Sequence, residues 1–417
     1  MTTRDPRDLL IVEPQAGGHH FQPYLSFALG ALVANGYRPW LMTTARARAH
    51  PAMAALDDAA QGQLRSVLMP DPYARPTRGS SLGLMAQQLR YWRAVASGYR
   101  ALAPELRFGL SLVMGYDSMS RVLALRGSPL GGCPFVALSI HTKHHWPALG
   151  IGAGGRALGF SRWCFERVLR ARDCAGMLSI DQTLIDAYAG NDQLAPKLRW
   201  LPDPGEVTAH PSRAQARAAL GLDAHAPMVL AYGVLDQRKR IDALLAAALL
   251  ARCQPQVVLA GSCAAVVDAL KASAAWSTLA GQGRLHLLDR YVDVADEARL
   301  FAAVDLVWVG YGSSFDGQSA VIAQAASAGR VLLGRAGGLI GRTIERHRLG
   351  AVTDPDDQPA TAAQLDRLLA SPPDAAMRDN LRRFAASRSC KAYADAWLEA
   401  LNAWAHSSMR QSPTPKE

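Results

Sequence analysis

A chain of 417 residues is too long for one ordinary core, so two or three domains are expected. Apolar residues make up 49% and charged residues 19%, which excludes a disordered chain. The net charge of +10 is uneven: residues 1–205 hold 22 Lys+Arg against 14 Asp+Glu, and the remainder 23 against 21, so the basic first half points to an anionic partner.

In chain order, residues 9–12 (LLIV) form a short, wholly apolar run, the mark of a strand buried on both faces. Gly17-Gly18-His19-His20 follows, then a helix over 22–34 that Asn35-Gly36 stops, then a strand over 39–43. Strand, glycine turn, helix and strand make one βαβ unit. Further expected elements are a basic helix over 86–102, strands over 110–114 and 134–140, a helix over 156–172, and strands over 176–180 and 198–201. Pro202-Asp203-Pro204-Gly205 breaks regular structure and reads as an interdomain linker.

A second alternation begins beyond it. Strands are expected over 227–232, 257–261, 284–288, 306–310, 331–334 and 350–353, with helices over 241–253, 297–303 and 318–328. A helix over 392–404 closes the chain, and a polar tail from 407 is expected to be disordered. Two runs of alternating strand and helix imply two open parallel sheets covered by helices, with ligands bound beyond the carboxyl ends of the strands. The expected domains are 1–204 and 205–390, with a closing helix over 391–406 that packs back toward the first domain, and a tail over 407–417.

Four segments carry candidate chemistry. The Gly17-Gly18 turn lets backbone N–H groups approach an anion at a helix start, although it is not a GxGxxG fingerprint. His141 ends a strand and is followed by Thr142-Lys143-His144-His145, suited to sugar hydroxyls or phosphate. Arg238-Lys239 sit between a strand ending at Gly233 and a helix, where two cations are unfavourable without an anion. Residues 310–329 (GYGSSFDGQSAVIAQAASAG) place Asp316 in a loop for sugar hydroxyls. Gly317, Gln318 and Ser319 stand at the expected helix start, and Gln324 about two turns in. Each also has a plain structural reading as a turn, a solvated helix start or a capped helix. The six cysteines form no CxxC pair and no metal cluster is visible, so neither disulfide nor metal is expected.

These segments resemble glycosyltransferase family 4 in the GT-B fold. The likeness is best over 227–355. There YGVLDQRKRIDALLAA is similar to that family's strand–turn–helix with a phosphate-binding lysine, which falls on Lys239. VVLAG, Asp305-Leu306 before the Tyr311 loop, and AQAASAGRVLLGRAGGLIG keep the family order. GGHH, SIHTKHH and LPDPGE resemble its first half more loosely. Where the family has two glutamates eight residues apart, this chain has Asp316 and Gln324, and Val234 stands where an arginine is common.

The resemblance implies an α/β, GT-B architecture: two doubly wound Rossmann-like domains facing a central cleft. It implies transfer of a sugar from a nucleotide-sugar donor to a glycan, lipid-linked or small-molecule acceptor, with retained configuration and no metal or other cofactor, in polysaccharide or glycoconjugate synthesis. Lys239 and Arg238 would hold the diphosphate, and Asp316 and His141 would act at the donor sugar. Gly17, Gly18, Gly233, Gly317, Gln318, Ser319 and Gln324 would line the donor, with His19 and Lys143 on the acceptor side. The alternatives are a non-catalytic nucleotide-sugar-binding protein on a decayed fold and a sugar-nucleotide epimerase. A nucleic-acid partner is not expected, because no recognition motif accompanies the charge. With no apolar leader and no long uncharged apolar run, a cytoplasmic location is expected. Peripheral contact with an anionic membrane through 156–172 is a further expectation, since arginines interleave there with Phe160, Trp163 and Phe165. An ordinary amphipathic helix covering the sheet would carry the same pattern.

Overall fold

The computed structural model describes residues 5–17, 20–76, 80–102, 106, 108–205, 210–263 and 266–409. The chain divides into two compact units. One runs to Asp203 and is rejoined by the segment from Cys390 onward; the other is Pro204–Ser389.

The first unit holds seven strands: β1 (Asp5–Val12), β2 (Arg38–Thr43), β3 (Arg65–Leu68), β4 (Phe108–Val113), β5 (Phe135–Ser139), β6 (Cys174–Ser179) and β7 (Leu198–Trp200). All pair in parallel in the order β3-β2-β1-β4-β5-β6-β7. Strand side chains alternate across the sheet, so β1 feeds two cores. Leu10 and Val12 join Tyr91, Val95, Phe165 and Leu169 on one face. Leu9 and Ile11 join Leu25, Leu29, Tyr393 and Trp397 on the other. The second set explains why the chain returns. The Cys390–Met409 helix lays Tyr393, Trp397 and Trp404 onto this sheet, and a Cβ on Gly176 would meet the Trp404 ring at 2.2 Å. That helix is longer than expected and takes in residues 407–409, where the sequence placed the start of the tail.

The second unit holds β8 (Met228–Tyr232), β9 (Gln256–Ala260), β10 (Leu285–Leu288), β11 (Leu306–Val309), β12 (Val331–Arg335) and β13 (Gly350–Thr353). They too are all parallel, in the order β10-β9-β8-β11-β12-β13. In both sheets the order reverses beside the first strand, between β1 and β4 and between β8 and β11. Such a reversal sends the two flanking loops apart and opens a crevice at the strands' carboxyl ends.

Three departures are local. The segment expected as a helix over 22–34 opens as a π-helical turn, His20–Leu25, before the α-helix Ser26–Ala34. The helix expected over 318–328 is only Val321–Ser327, so Gly317, Gln318 and Ser319 lie in the loop before it and Gln324 falls in its first turn. The Gly338–His347 helix was not foreseen, because the glycines of AGGLIG mask its apolar face.

Candidate functional site

The switch-point crevice of the second unit is flanked by the loop after β8 and the loop after β11, and these carry most of the sequence-predicted residues. β8 ends in Gly233, whose φ of 92° is open to glycine alone at little cost. Beside it Gly261, at φ 133°, closes β9 so tightly that an added Cβ would stand 2.1 Å from the Gly233 carbonyl oxygen. The two glycines bring the strand ends together and turn the chain into the Gln237–Lys239 3-10 turn.

That turn separates Arg238 from Lys239. Asp236 caps it, accepting from the Arg238 N–H at 3.0 Å, and its carboxylate binds the Arg238 guanidinium at 2.6 Å. Arg240 is held by Asp242 and Asp356 at 3.0 and 2.7 Å. Arg238 thus has its counter-charge two residues upstream. Lys239 differs. It is only 8% exposed, and its ammonium donates to the Tyr232 carbonyl and, at 3.2 Å, to the Tyr311 hydroxyl. Its Nζ also stands 5.1 Å from the centre of the Tyr311 ring. Among the described residues no carboxylate pairs with it. A buried cation answered only by neutral oxygens is costly, and the cost falls when an anion enters.

The β11 loop completes the surroundings of this ammonium. Trp308 donates its indole N–H to the Lys239 carbonyl at 2.8 Å, and Gly312 N–H donates to the Arg238 carbonyl at 2.7 Å, so the two loops are stitched together. The Tyr311 hydroxyl reaches Ser319 Oγ at 3.1 Å, which joins Lys239, Tyr311 and Ser319 in one chain of polar atoms. Phe315 stacks on Tyr311 at 4.6 Å and lies under the Arg238 guanidinium at 5.5 Å. Gln318 and Gln324 are half-buried. Asp316 is not a free acceptor. Its Oδ1 takes a 2.6 Å bond from Arg335 at the end of β12, while its carbonyl takes the Leu339 N–H at 3.0 Å. Arg335, which also reaches the Gly312 carbonyl at 3.2 Å, was missed from the sequence. A cation closing an apolar strand was the available signal.

In the first unit Gly17 is exposed, with open space where a Cβ would stand. Gly18 and His19 lie outside the described residues. At the end of β1 the buried Glu13 accepts from the Gln15 N–H at 2.9 Å and pairs with His20 Nδ1 at 3.0 Å. Burial disfavours the imidazolium, but the hydrogen bond and charge of Glu13 outweigh it, and the His20 pKa ends above its ordinary value. Across the switch point Asp117 accepts from the Ile140 and His141 N–H groups at 2.7 and 3.0 Å, fixing the loop that leaves β5. Desolvation raises the Asp117 pKa despite those bonds. Neither Glu13 nor Asp117 was foreseen, although an acid ending an apolar strand was visible in LLIVE. His141 and Lys143 are exposed, with Lys143 Nζ 5.0 Å from the Trp146 ring centre.

The two histidines that follow are structural. His145 bonds Asp181 at 3.1 Å and Thr183 at 2.9 Å. His144 bonds the Tyr188 hydroxyl at 2.9 Å and packs on Phe165. Burial, with His145 and Arg162 nearby, pushes the His144 pKa down to about 4. Its stabilising contribution is thus whole above the unfolded value near 6.5 and is lost as pH falls toward 4. Between pH 7 and 4 this amounts to at most about 3 kcal/mol. His144→Gln should flatten the fall in Tm over that interval. An unchanged slope in the variant would show that other groups carry the acid sensitivity.

Among the described residues no helix is long and apolar enough to cross a membrane, and no cluster of three His, Cys, Asp or Glu side chains could hold a metal. No family model and no curated protein sequence matches the chain. Solved structures do. Sucrose-phosphate synthase from Thermosynechococcus elongatus superposes with a TM-score of 0.64 at 17% identity, over 95% of this chain and 98% of that one. Anabaena Alr3699/HepE, solved in complex with UDP and glucose, gives 0.59 at 15% over 95% and 99%. WaaG, a glycosyltransferase involved in lipopolysaccharide biosynthesis, gives 0.58 at 14% over 94% and 98%. Two parallel-sheet α/β units with these neighbours have the GT-B fold class of glycosyltransferases.

Proposed function

We propose that this chain is a glycosyltransferase of the family 4 type that takes its sugar from a nucleoside diphosphate sugar. The diphosphate would sit in the crevice between the ends of β8 and β11. The observation that carries this is Lys239, a buried ammonium with no carboxylate partner among the described residues, at the switch point of the second unit. The UDP and UDP-glucose complexes of Anabaena HepE support the choice of ligand class.

Glycosyl transfer leaves negative charge on the departing diphosphate, and a preorganised cation in a dry site lowers the barrier most where that charge develops. Lys239 fills this role directly. Arg238 would reach the phosphates by leaving Asp236, and Ser319 with the N–H groups of the Gly317 to Ser319 loop would bind the oxygens between them. With that positive charge, the reading needs no divalent metal and no further cofactor. Asp316, steadied by Arg335, would accept donor sugar hydroxyls through its remaining oxygen, and Gln324 would bind the ribose. The first unit would take the acceptor, a glycan or lipid-linked molecule, through Gly17, Gly18, His19, His141 and Lys143. Retention of configuration, with the leaving phosphate taking the acceptor proton, completes the reading.

The test is a thermal-shift panel of UDP, ADP, GDP and their sugar conjugates. A ligand present at 100 times its Kd adds about 2.7 kcal/mol to the stability of the state that binds it. One base is expected to raise the Tm selectively, and its sugar conjugate to support transfer. Indifference to every nucleoside diphosphate would end the proposal.

A further inference from the structure

Three consecutive crossover helices, Ser81–Arg100, Ser120–Arg126 and Arg156–Arg170, pack side by side over the same face of the first unit's sheet. Together they carry nine arginines and a single acid, Glu166. Glu166 is already held by Arg162 and Arg170 at 2.8 and 3.1 Å. Seven further arginines against no further acid on these three helices make this outer layer strongly basic.

Apolar side chains are exposed within that layer. Leu125 is 52% exposed, Phe160 38% and Trp163 45%. The Arg156–Arg170 helix buries Cys164, Phe165, Val168 and Leu169 against the sheet, so Phe160 and Trp163 are surplus to that packing. They stack on each other at 5.8 Å and 14°. Arg121 stands over the Phe160 ring at 5.9 Å, and Arg167 over the Trp163 ring at 5.4 Å. Beside them a shallow groove of about 560 Å³ is lined by Leu125, Trp163, the three cations Arg126, Arg167 and Arg170, and one acid, Asp173.

We infer that this three-helix face docks on the surface of a bilayer containing anionic phospholipid. The arginines would meet headgroup phosphates, the groove would receive one headgroup, and Leu125, Phe160 and Trp163 would enter the acyl boundary. A nucleic acid suits the charge but not the rest. Leucine offers nothing to a base, and the two aromatic rings already stack on each other beneath guanidinium groups. The surface belongs to the first unit alone and does not depend on what the second unit binds.

Flotation of the full chain with vesicles tests this. Binding is expected to vesicles of phosphatidylcholine mixed with phosphatidylglycerol, to be absent with phosphatidylcholine alone, and to weaken as salt rises. The triple substitution Leu125→Ser, Phe160→Ser, Trp163→Ser should reduce binding at least tenfold, with near-native circular dichroism and Tm establishing that it folds. Failure to float with phosphatidylglycerol at low salt would overturn the inference. So would equal flotation on neutral vesicles, or a folded triple variant that floats like the native chain. Competition by single-stranded DNA that leaves no lipid binding would assign the face to nucleic acid instead.

Discussion

Replacing Lys239 by Met is expected to abolish nucleoside diphosphate binding while leaving the ligand-free protein as stable as before, or more so. The two effects have opposite origins in one atom. Without ligand, the ammonium is buried against a carbonyl and a phenol, with no opposite charge among the described residues to offset its desolvation. A thioether of similar length removes that cost and fills the same space, and exchanging a buried charge for an apolar side chain is often neutral or stabilising. A gain of about 1 kcal/mol would raise Tm by roughly 2–4 °C in a unit of this size. With ligand, the same exchange deletes the cation that meets the leaving group, and losing one such contact costs about 100- to 1,000-fold in turnover. A variant that binds and transfers within a few-fold of the native chain would remove the basis of the functional proposal. A variant that loses several degrees of Tm without ligand would show that Lys239 serves the fold. Arg238→Ala is expected to be milder, because Asp236 already competes for that guanidinium.

What the sequence made legible follows from the range of each signal. Buried parallel strands write themselves as unbroken apolar runs, so β1, β8, β9 and β11 stood out, the last three with a glycine directly behind them. The edge strand β3 did not, since its four residues, RSVL, are only half apolar and none is fully buried. Charge pairing was legible only over short spans. Asp236 and Arg238 are two residues apart and could have been matched by eye. Asp316 and Arg335 are 19 residues apart and meet only because β11 and β12 are neighbours in the sheet. Lys239 and Arg238 therefore looked alike in sequence, although the fold satisfies one and leaves the other open. The same holds at the first unit's switch point, where Glu13 takes the ring of His20 through a turn that glycine spacing alone did not describe.

Asp305→Ala should cost about 3–5 kcal/mol, lowering Tm by roughly 10 °C or more, while the ligand-induced shift survives. Asp305 stands just before β11, at the opposite end of the strand from Tyr311. Its carboxylate takes Arg213 and Arg217 at 2.9 Å each and the Met228 N–H at 2.9 Å. Arg217 is 1% exposed and is otherwise held by the carbonyls of Ala303, Asp223 and Ala226. Burial already pulls its pKa down. Removing Asp305 thus leaves a buried guanidinium without its opposite charge and a strand N–H without an acceptor, which is the expensive way to break an ion pair. Asp305→Asn separates the two terms, since the amide oxygen can still accept from Met228, and it should recover part of the loss. A fall of less than about 2 °C in the alanine variant would contradict the reasoning. Four residues of β11 thus separate a buried cation that needs its acid for folding from one that, among the described residues, has no acid, and it is the second that the proposal assigns to the incoming anion.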